Sequence, residues 1–219
     1  MVHIFDVDFT VLKNSSSWYF LREAIQTGVI RFSQIRRLPL EWIKYKLGRP
    51  NMDFIEESMK FLAGIDKLVL EQTAENCFCR RMRPNIYEDA ASLIREALGR
   101  GEKVIFATSS FKTLIQPLEN FFGIKDSVTS LLEFRDGKTS GRIIGSSVFG
   151  KKKKSAVEKW LFENKIPPES VCFYSDSYTD LPLLELCGKA ITVNPDRFLV
   201  KEAKKQCWEI LYFKKTIGK

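Results

Sequence analysis

The spacing of apolar and polar positions divides this chain into three parts. Val2–Phe5 is an apolar run of strand length, and it leads directly into two aspartates, Asp6 and Asp8. Residues 15 to about 83 have apolar positions at helical spacing, interrupted by glycine and proline. From Pro84 onward, apolar runs of strand length alternate with helical segments.

Periodicity and turn residues give the bounds of the predicted elements. The middle part is predicted to contain helices over Ser15–Gln26, Arg31–Leu47, Met52–Leu62 and Lys67–Arg83. The last part is predicted to contain helix Tyr87–Arg100, strand Lys103–Ala107, helix Thr113–Phe122, a hairpin of Val128–Phe134 and Thr139–Ile144, helix Ser155–Lys165, strand Val171–Tyr174, helix Leu181–Cys187, strand Ala190–Val193, and then a helix and a short strand.

The alternation of strands and helices predicts an α/β fold with a parallel sheet. An all-helical insertion follows the first strand, so we predict a core domain of residues 1–13 and 84–219 and a cap domain of residues 14–83. In such sheets, ligands bind at the carboxyl ends of the strands. The insertion leaves the core at that edge, and we therefore expect it to lie over the site as a cap.

Composition narrows the class of protein. The chain has 219 residues, of which 44% are hydrophobic, enough for a substantial core. No apolar run approaches the roughly 18 residues of a membrane span, and the N-terminus enters the first strand directly, so no signal peptide is expected. Five scattered cysteines give no disulfide framework and favour the reduced cytoplasm. Cys77 and Cys79 have no second pair, and the single histidine, His3, lies in a strand, which disfavours zinc.

The net charge of +8 is compatible with nucleic acid, an anionic membrane surface or phosphorylated substrates as partners. The densest basic run is Lys151–Lys154. A run of this kind is usually a solvated loop, so we predict no specific binding of nucleic acid.

Asp6 and Asp8 are the first candidates for chemistry. Side chains alternate along an extended chain, so these two carboxylates point the same way at the end of the first strand. Such a pair is costly without a cation, and it suits a hard divalent metal with one carboxylate acting as a nucleophile. The structural alternative is a pair of aspartates that only caps the following turn.

Three more polar groups follow later strands. Thr108–Ser110 ends the strand Lys103–Ala107, where hydroxyl and N–H groups could bind phosphate. Lys154 is in phase with the apolar positions of the next long helix and could neutralise a phosphoryl group. Asp176 and Asp180 follow the strand Val171–Tyr174. Each group alone also has an ordinary structural reading, as a helix cap or a solvated lysine.

Together, in this order and at one sheet edge, these groups resemble the haloacid dehalogenase superfamily of phosphatases, in its phosphoserine-phosphatase-like class IB. The residues that carry the resemblance are Asp6-Val7-Asp8-Phe9-Thr10, Thr108, Lys154, and Asp176 with Asp180. The hairpin and Thr192–Asp196 also resemble this class. The resemblance covers nearly the whole chain and is weakest in the cap. It implies a Rossmann-like parallel core with a C1-type helical cap.

The resemblance also implies the reaction, which is hydrolysis of a phosphomonoester through an aspartyl-phosphate. Asp6 would be the nucleophile, and Asp8 would protonate the leaving oxygen and later take a proton from water. Thr10 supports the first motif.

The same resemblance implies the ligands of a metal and of the phosphoryl group. Mg²⁺ would be held by the Asp6 carboxylate, the Asp8 carbonyl and Asp176. Asp180 would orient metal-bound water or fix the lysine. Thr108, Ser109 and Lys154 would bind the phosphoryl oxygens, with Lys153 as the alternative lysine.

The predicted substrate is a small phosphorylated metabolite, with phosphoserine itself disfavoured. Phosphoserine phosphatases carry a glutamate near the position of Ser15 and an arginine in the cap for the substrate carboxylate. This sequence has no arginine between Arg49 and Arg80, the region where that residue would fall.

Three alternatives stay open. The basic, aromatic-rich segment Arg31–Leu47 could contact an anionic membrane, as in a phospholipid headgroup phosphatase such as a phosphatidylglycerophosphatase, although Pro39 disfavours one long interfacial helix. A phosphotransferase would use the same residues. A phosphate- or nucleic-acid-binding module on the same fold would have no catalytic role. The sequence predicts no oligomeric state.

Overall fold

A computed structural model describes residues 1–31, 33 and 59–218. Most of the predicted helix Arg31–Leu47, which is also the segment considered for membrane contact, lies outside these residues, as does most of Met52–Leu62. The described strands are β1 Val2–Phe5, β2 Lys103–Phe111, β3 Ser127–Ser130, β4 Leu132–Arg135, β5 Lys138–Ile143, β6 Val171–Ser175, β7 Lys189–Val193 and β8 Glu209–Leu211. The described α-helices are α1 Ser16–Gln26, α2 Lys67–Cys77, α3 Glu88–Gly99, α4 Lys112–Phe122, α5 Lys151–Glu163, α6 Leu181–Leu184 and α7 Arg197–Lys205.

Six strands form one parallel sheet in the order β3-β2-β1-β6-β7-β8, which confirms the predicted α/β fold. The first strand of the chain lies in the middle, with Phe5 opposite Phe106 of β2 and Tyr174 of β6. Because all three strands run in the same direction, the residues that follow them meet at one edge. This register brings the segments after Phe5, Ala107 and Ser175 together.

Helices cover both faces of the sheet. One face carries Phe5, Phe106 and Tyr174, which belong to the same hydrophobic cluster as buried residues of α1 to α4. The other face carries Ile4 and Phe173 and packs with residues of α5, α6 and α7. A central parallel strand is buried on both sides, which explains why β1 is buried at every position rather than alternating between buried and exposed.

The predicted boundary between cap and core at residue 14 crosses a continuous hydrophobic cluster. Phe20 and Leu21 of α1 and Leu70 of α2 are buried in the cluster that contains Phe5 of β1. Helices α1 and α2 therefore share packing with the sheet domain. The division into two domains stays a prediction.

The predicted hairpin is present but shorter than expected. The segment expected as one strand, Val128–Phe134, is two strands, because β3 joins the parallel sheet beside β2 and only β4 pairs with β5. Asp136 and Gly137 form the tight turn, both with positive φ, as the Asp-Gly sequence predicts.

The hairpin is attached to the segment that precedes α2. The N–H of Gly64 donates to the Thr139 carbonyl at 2.8 Å, the N–H of Thr139 to Ile65 at 2.9 Å, and the N–H of Lys67 to Gly137 at 2.8 Å. Gly141 lies against the same segment, with φ of 73°, and a Cβ there would be 3.0 Å from the Lys60 Cα.

Several predicted bounds need correction, among them the end of α6, which lies at Leu184 rather than at Cys187. Strand β2 continues to Phe111, so Thr108–Ser110 lies in the end of the strand. Helix α2 ends at Cys77 and is followed by a π-helical turn, Phe78–Met82. Helix α5 begins at Lys151 rather than at Ser155, because lysine is a good helix former and the basic run continues the helix. None of the helices in the described ranges has the length and apolar character needed to cross a bilayer.

We predict that Gly141→Ala destabilises the protein more than Gly145→Ala. Both glycines have similar positive φ, 73° and 74°, so both substitutions carry the same backbone strain. A Cβ meets the backbone of residues 59 and 60 only at Gly141, whereas nothing lies within 4 Å at Gly145. The free energy of unfolding in urea should be lower for Gly141→Ala by about 1–3 kcal/mol. Equal values for the two variants would contradict the packing of the hairpin on this segment.

A second prediction concerns His3, the single histidine of the chain. His3 Nδ1 lies 3.1 Å from the Tyr174 hydroxyl and Nε2 lies 3.2 Å from Glu102 Oε2. Burial lowers the pKa of His3 below 6.5, although Glu102 opposes this. The unfolded chain therefore binds more protons just below pH 6.5, and the contribution of His3 to stability rises with pH up to that value.

The measurement is urea unfolding of the wild type and of His3→Gln from about pH 5 to 8. The difference in unfolding free energy, wild type minus variant, should increase toward pH 6.5 and then stay level. A difference that is constant or falls with pH would contradict the lowered pKa.

Candidate active site

Asp6 and Asp8 lie at the end of the central strand. The N–H of Asp6 donates to the Tyr174 carbonyl at 2.9 Å, so Asp6 still follows the line of the sheet. The chain then turns back at Phe9, whose φ of 59° is left-handed, and the N–H groups of Val11 and Leu12 both donate to Val7. This tight turn keeps both carboxylates at the sheet edge, as the sequence predicted.

Asp8 contacts the start of α1. Its Oδ1 accepts a hydrogen bond from the N–H of Ser16 at 2.8 Å, and its Oδ2 accepts one from Ser15 Oγ at 3.2 Å. Asp8 therefore does cap the start of α1, as the structural alternative proposed. A carboxylate is stabilised at the N-terminus of a helix. Burial raises the pKa of Asp8, and the hydrogen bonds from Ser16 and Ser15 limit the rise.

Lys153 is the lysine of the site. It is 4% exposed, and its Nζ donates to Asp6 Oδ1 at 3.0 Å and to Asp180 Oδ2 at 2.7 Å. Burial disfavours the charged ammonium, but the carboxylates of Asp180 and Asp6 outweigh this and raise the pKa of Lys153. Lys153 is therefore a charged group between two carboxylates.

The expectation that Lys154 reaches the site is corrected by these contacts. Lys154 is partly exposed and pairs with Glu158 at 3.8 Å, four residues along the same helix. The buried residues of α5 are Lys153, Val157 and Leu161, each four residues from the next. Lys153 and Lys154 precede Val157 by four and three residues, so both can lie on the same face of the helix. The sequence therefore did not distinguish them, and the choice of Lys154 was wrong.

Asp176 and Asp180 follow β6. Asp180 is buried, and its Oδ2 accepts hydrogen bonds from Lys153 and from Ser175 Oγ at 2.8 Å. Burial raises the pKa of Asp176 well above its ordinary value, and the carboxylates of Asp6 and Asp180 raise it further. The turn after β6 is capped by Ser177, whose side chain accepts a hydrogen bond from the N–H of Thr179. Asp176 is therefore not the residue that caps this turn.

The site is rich in negative charge. The pKa of Asp6 is raised to about 7, because burial and the carboxylates of Asp180 and Asp8 raise it more than Lys153 lowers it. Lys153 supplies one positive charge among these carboxylates. A buried set of carboxylates with a single ammonium is relieved when a cation binds.

The donor set fits a hard divalent cation. Within the described ranges, no three side chains of His, Cys, Asp or Glu are grouped as a metal site. The implied set needs only two, the carboxylates of Asp6 and Asp176, and takes its third protein ligand from the main-chain carbonyl of Asp8. Oxygen donors of this kind are the ones that Mg²⁺ prefers.

Thr108 and Ser109 lie at the end of β2, beside β1. Thr108 is buried, and its Oγ1 accepts a hydrogen bond from the N–H of Ser110 at 3.2 Å, which leaves the hydroxyl proton out of that bond. The Ser109 carbonyl accepts from Ser130 Oγ at 2.9 Å. Thr10 is also buried, and its Oγ1 has no hydrogen-bond partner among the residues that the structure describes.

Several contacts of the site were not predicted. The hydroxyls of Ser16 and Ser110 contact each other, and Ser175 donates to Asp180. Ser15 donates to Asp8, but the sequence indicated it only as the replacement for a glutamate. The run Ser15–Ser17 before a helix is a signal for an N-terminal cap, which could have pointed to Asp8 as its partner.

Comparison with known proteins agrees with this geometry. Residues 4–185 match the family model of haloacid dehalogenase-like hydrolases. The chain belongs to this family. The match spans the three strand ends that carry the site. The predicted family, the predicted fold and the prediction that the protein is a phosphatase are confirmed.

Two curated relatives of this haloacid dehalogenase-like hydrolase have phosphatase names. A histidinol-phosphatase of Neisseria meningitidis is 29% identical over 217 residues, which cover 96% of this chain and 98% of the relative. A phosphoserine phosphatase of Mycobacterium tuberculosis is 26% identical, and the match covers 96% of this chain and 70% of the relative.

Solved structures share the fold. A protein of unknown function from Bordetella pertussis Tohama I superposes with a TM-score of 0.87 at 26% identity, covering 96% of this chain and 97% of that one. A substrate-bound phosphoserine phosphatase superposes with a TM-score of 0.70 at 19% identity, covering 99% and 94%. The second likeness is evidence of the fold alone.

We predict that Lys153→Met and Lys154→Met differ in stability. Removing Lys153 leaves Asp6 and Asp180 without their shared cation in a buried site, which should cost about 3–5 kcal/mol. Removing Lys154 breaks one partly exposed ion pair and should change stability by less than about 1 kcal/mol.

The measurement is urea unfolding without divalent cations at about pH 8, which is above the raised pKa of Asp6. Equal effects of the two substitutions would contradict the placement of Lys153. A larger loss for Lys154→Met would restore the original expectation.

Proposed function

We propose that this chain is a Mg²⁺-dependent phosphomonoester hydrolase that works through an aspartyl-phosphate on Asp6. The observation that carries the proposal is the contact of Lys153 with Asp6 and Asp180. It orients a carboxylate at the carboxyl end of the central strand, beside Asp8 and Thr108, where parallel sheets bind ligands.

In the first step, Asp6 attacks the phosphorus atom. A bond forms between an Asp6 oxygen and phosphorus, and the bond from phosphorus to the ester oxygen breaks. Asp8 gives its proton to the leaving oxygen, so the product leaves as a neutral alcohol. The raised pKa of Asp8 supports this role, because burial favours the protonated carboxyl.

In the second step, Asp8 takes a proton from a water molecule that attacks the phosphorus atom. The bond between phosphorus and Asp6 breaks, and the product is inorganic phosphate. Asp8 ends the cycle protonated and Asp6 ends it as a carboxylate, so the enzyme returns to its starting state.

Lys153, Thr108 and Ser109 are the groups that we assign to the phosphoryl oxygens. Lys153 brings a fixed positive charge to the atom at which charge develops, and Thr108 brings a buried hydroxyl. Asp180 serves to fix Lys153, since its Oδ2 is the closer of the two carboxylate partners.

The Asp6 carboxylate, the Asp8 carbonyl and Asp176 are the residues that would hold Mg²⁺. When bound, the ion neutralises charge on the phosphoryl group and on the buried carboxylates. Metal removal should therefore abolish turnover.

The substrate class that we propose is a small phosphorylated metabolite, with an amino alcohol phosphate such as histidinol phosphate tested first. The relative from Neisseria meningitidis has this specificity in its name, and the match covers 98% of its length. Histidinol phosphate has no carboxylate, which agrees with the absence of arginine from positions 50 to 79 of the sequence. Phosphoserine is the second substrate to test.

No feature of the described residues favours the phospholipid headgroup phosphatase or the phosphotransferase. The segment considered for membrane contact lies mostly outside them, and a transferase would use the same groups. The non-catalytic binding module is set aside by the family. The cytoplasmic location stays a prediction.

We predict that Asp6→Asn lowers kcat by at least about 1,000-fold, because an amide is not a nucleophile toward phosphorus. Asp89→Asn is the matched control, since Asp89 is exposed on α3. The measurement is phosphate release from histidinol phosphate, phosphoserine and other phosphomonoesters, with Mg²⁺ and with a chelator. The wild type, quenched in acid during turnover, should carry a covalent phosphoryl group on up to one site per chain, and Asp6→Asn should carry none.

Turnover by Asp6→Asn beyond a trace would reject the nucleophile. Activity that a chelator does not change would reject the metal. Transfer of phosphate to an added alcohol at a rate above that of hydrolysis would favour the phosphotransferase.

A further inference from the structure

The start of α1 contacts both the proton donor and the end of β2. Ser16 is the first residue of α1, and its N–H donates to Asp8 Oδ1. Its hydroxyl lies 2.6 Å from the hydroxyl of Ser110 on β2, and the N–H of Ser110 donates to Thr108 Oγ1. One chain of polar contacts therefore runs from Asp8 to Thr108.

The contact between Ser16 and Ser110 is buried. Ser16 is fully buried and Ser110 is 2% exposed. A distance of 2.6 Å is at the short end for two hydroxyls, and a hydroxyl inside the protein is costly unless it is bonded. The pair joins residues 94 positions apart in sequence, so it fixes the start of α1 against the strand that carries Thr108.

Both oxygens of Asp8 are held by the first residue of α1 and the residue before it. Oδ1 accepts from Ser16 and Oδ2 accepts from Ser15, so rotation of the carboxyl group is restricted as long as residues 15 and 16 stay in place. The Ser16 hydroxyl does not need to touch substrate to matter. It fixes the position of the N–H that holds Asp8.

We propose that Ser16 and Ser110 are a positioning pair, which holds Asp8 in the orientation that protonates the leaving oxygen. The inference rests on the proposed function, because it gives Asp8 the proton transfer. The pair acts through Asp8 and not on the phosphoryl group, so its loss should weaken protonation of the leaving group more than the attack by Asp6.

This role makes the effect of substitution depend on the leaving group. An alkyl phosphate leaves as a strongly basic alkoxide and needs the proton of Asp8. A p-nitrophenyl phosphate leaves as a weakly basic phenolate and does not. The ratio kcat/KM covers events up to formation of the aspartyl-phosphate, so it reports on this step and not on the later attack of water.

The experiment compares Ser16→Ala, Ser110→Ala, the double variant and Ser110→Thr with the wild type. Each is assayed with p-nitrophenyl phosphate and with the alkyl phosphate that the wild type hydrolyses fastest. Circular dichroism checks that each variant is folded. Ser17→Ala is the matched control, since Ser17 follows Ser16 on α1 and lies 3.5 Å from Ser110, the outer limit of a hydrogen bond.

Either alanine variant should lose about tenfold in kcat/KM on the alkyl phosphate and less than about twofold on p-nitrophenyl phosphate. The double variant should lose no more than a single one, because the two hydroxyls act as a unit. Ser110→Thr keeps the hydroxyl on a strand that accepts β-branched residues, and it should recover most of the loss. Ser17→Ala should resemble the wild type with both substrates.

Equal losses on the two substrates would overturn the inference and leave the proposed function intact, because the effect would then be general. Losses that add in the double variant, or a Ser17→Ala effect equal to that of Ser16→Ala, would also overturn it. A wild type that hydrolyses neither substrate would instead reject the proposed function. If one alanine variant does not fold, the other, on a different element, still gives the comparison.

Discussion

The placement of one lysine determines what the rest of the site can do. Lys153 is buried between Asp6 and Asp180, and its charge is stable there because both carboxylates favour it over the neutral amine. The contact joins the residue after β1 to α5, 147 positions away in the sequence, and α5 to the turn after β6. The carboxylates on either side are in turn kept from excessive repulsion by the ammonium. Removal of Lys153 leaves two buried carboxylates without their shared cation, whereas removal of either carboxylate leaves the ammonium with one partner.

The sheet brings these groups together through its strand order. The first strand of the chain is central, and its neighbours β2 and β6 are in register with it at Phe5. The residues after each strand therefore converge without long loops. The two neighbours supply different groups, hydroxyl groups from β2 and carboxylates from the segment after β6, and Asp6 lies between them.

Much of this could be predicted from the sequence. Apolar runs followed by polar groups located β1, β2 and β6, and the parallel arrangement followed from the alternation with helices. The choice between Lys153 and Lys154 could not be predicted, because it depends on where α5 begins, and four consecutive lysines give no apolar periodicity from which to read the start. The role of Ser110 could not be predicted either, since its partner Ser16 lies on another element, 94 residues away, and no local pattern reports a contact at that separation.

The attachment of the hairpin to the insertion determines which positions at this contact tolerate substitution. The three hydrogen bonds that join Gly64, Ile65 and Lys67 to the hairpin are donated and accepted by the main chain alone. The exposed side chain of Lys67 can therefore be exchanged without releasing this end of the insertion, whereas Thr139 is buried and its Oγ1 accepts a hydrogen bond from the N–H of Gly141. Proline is the exception, because it lacks the N–H that each of these two residues donates. Other surfaces of the insertion can change while its junction with the hairpin keeps the same backbone geometry.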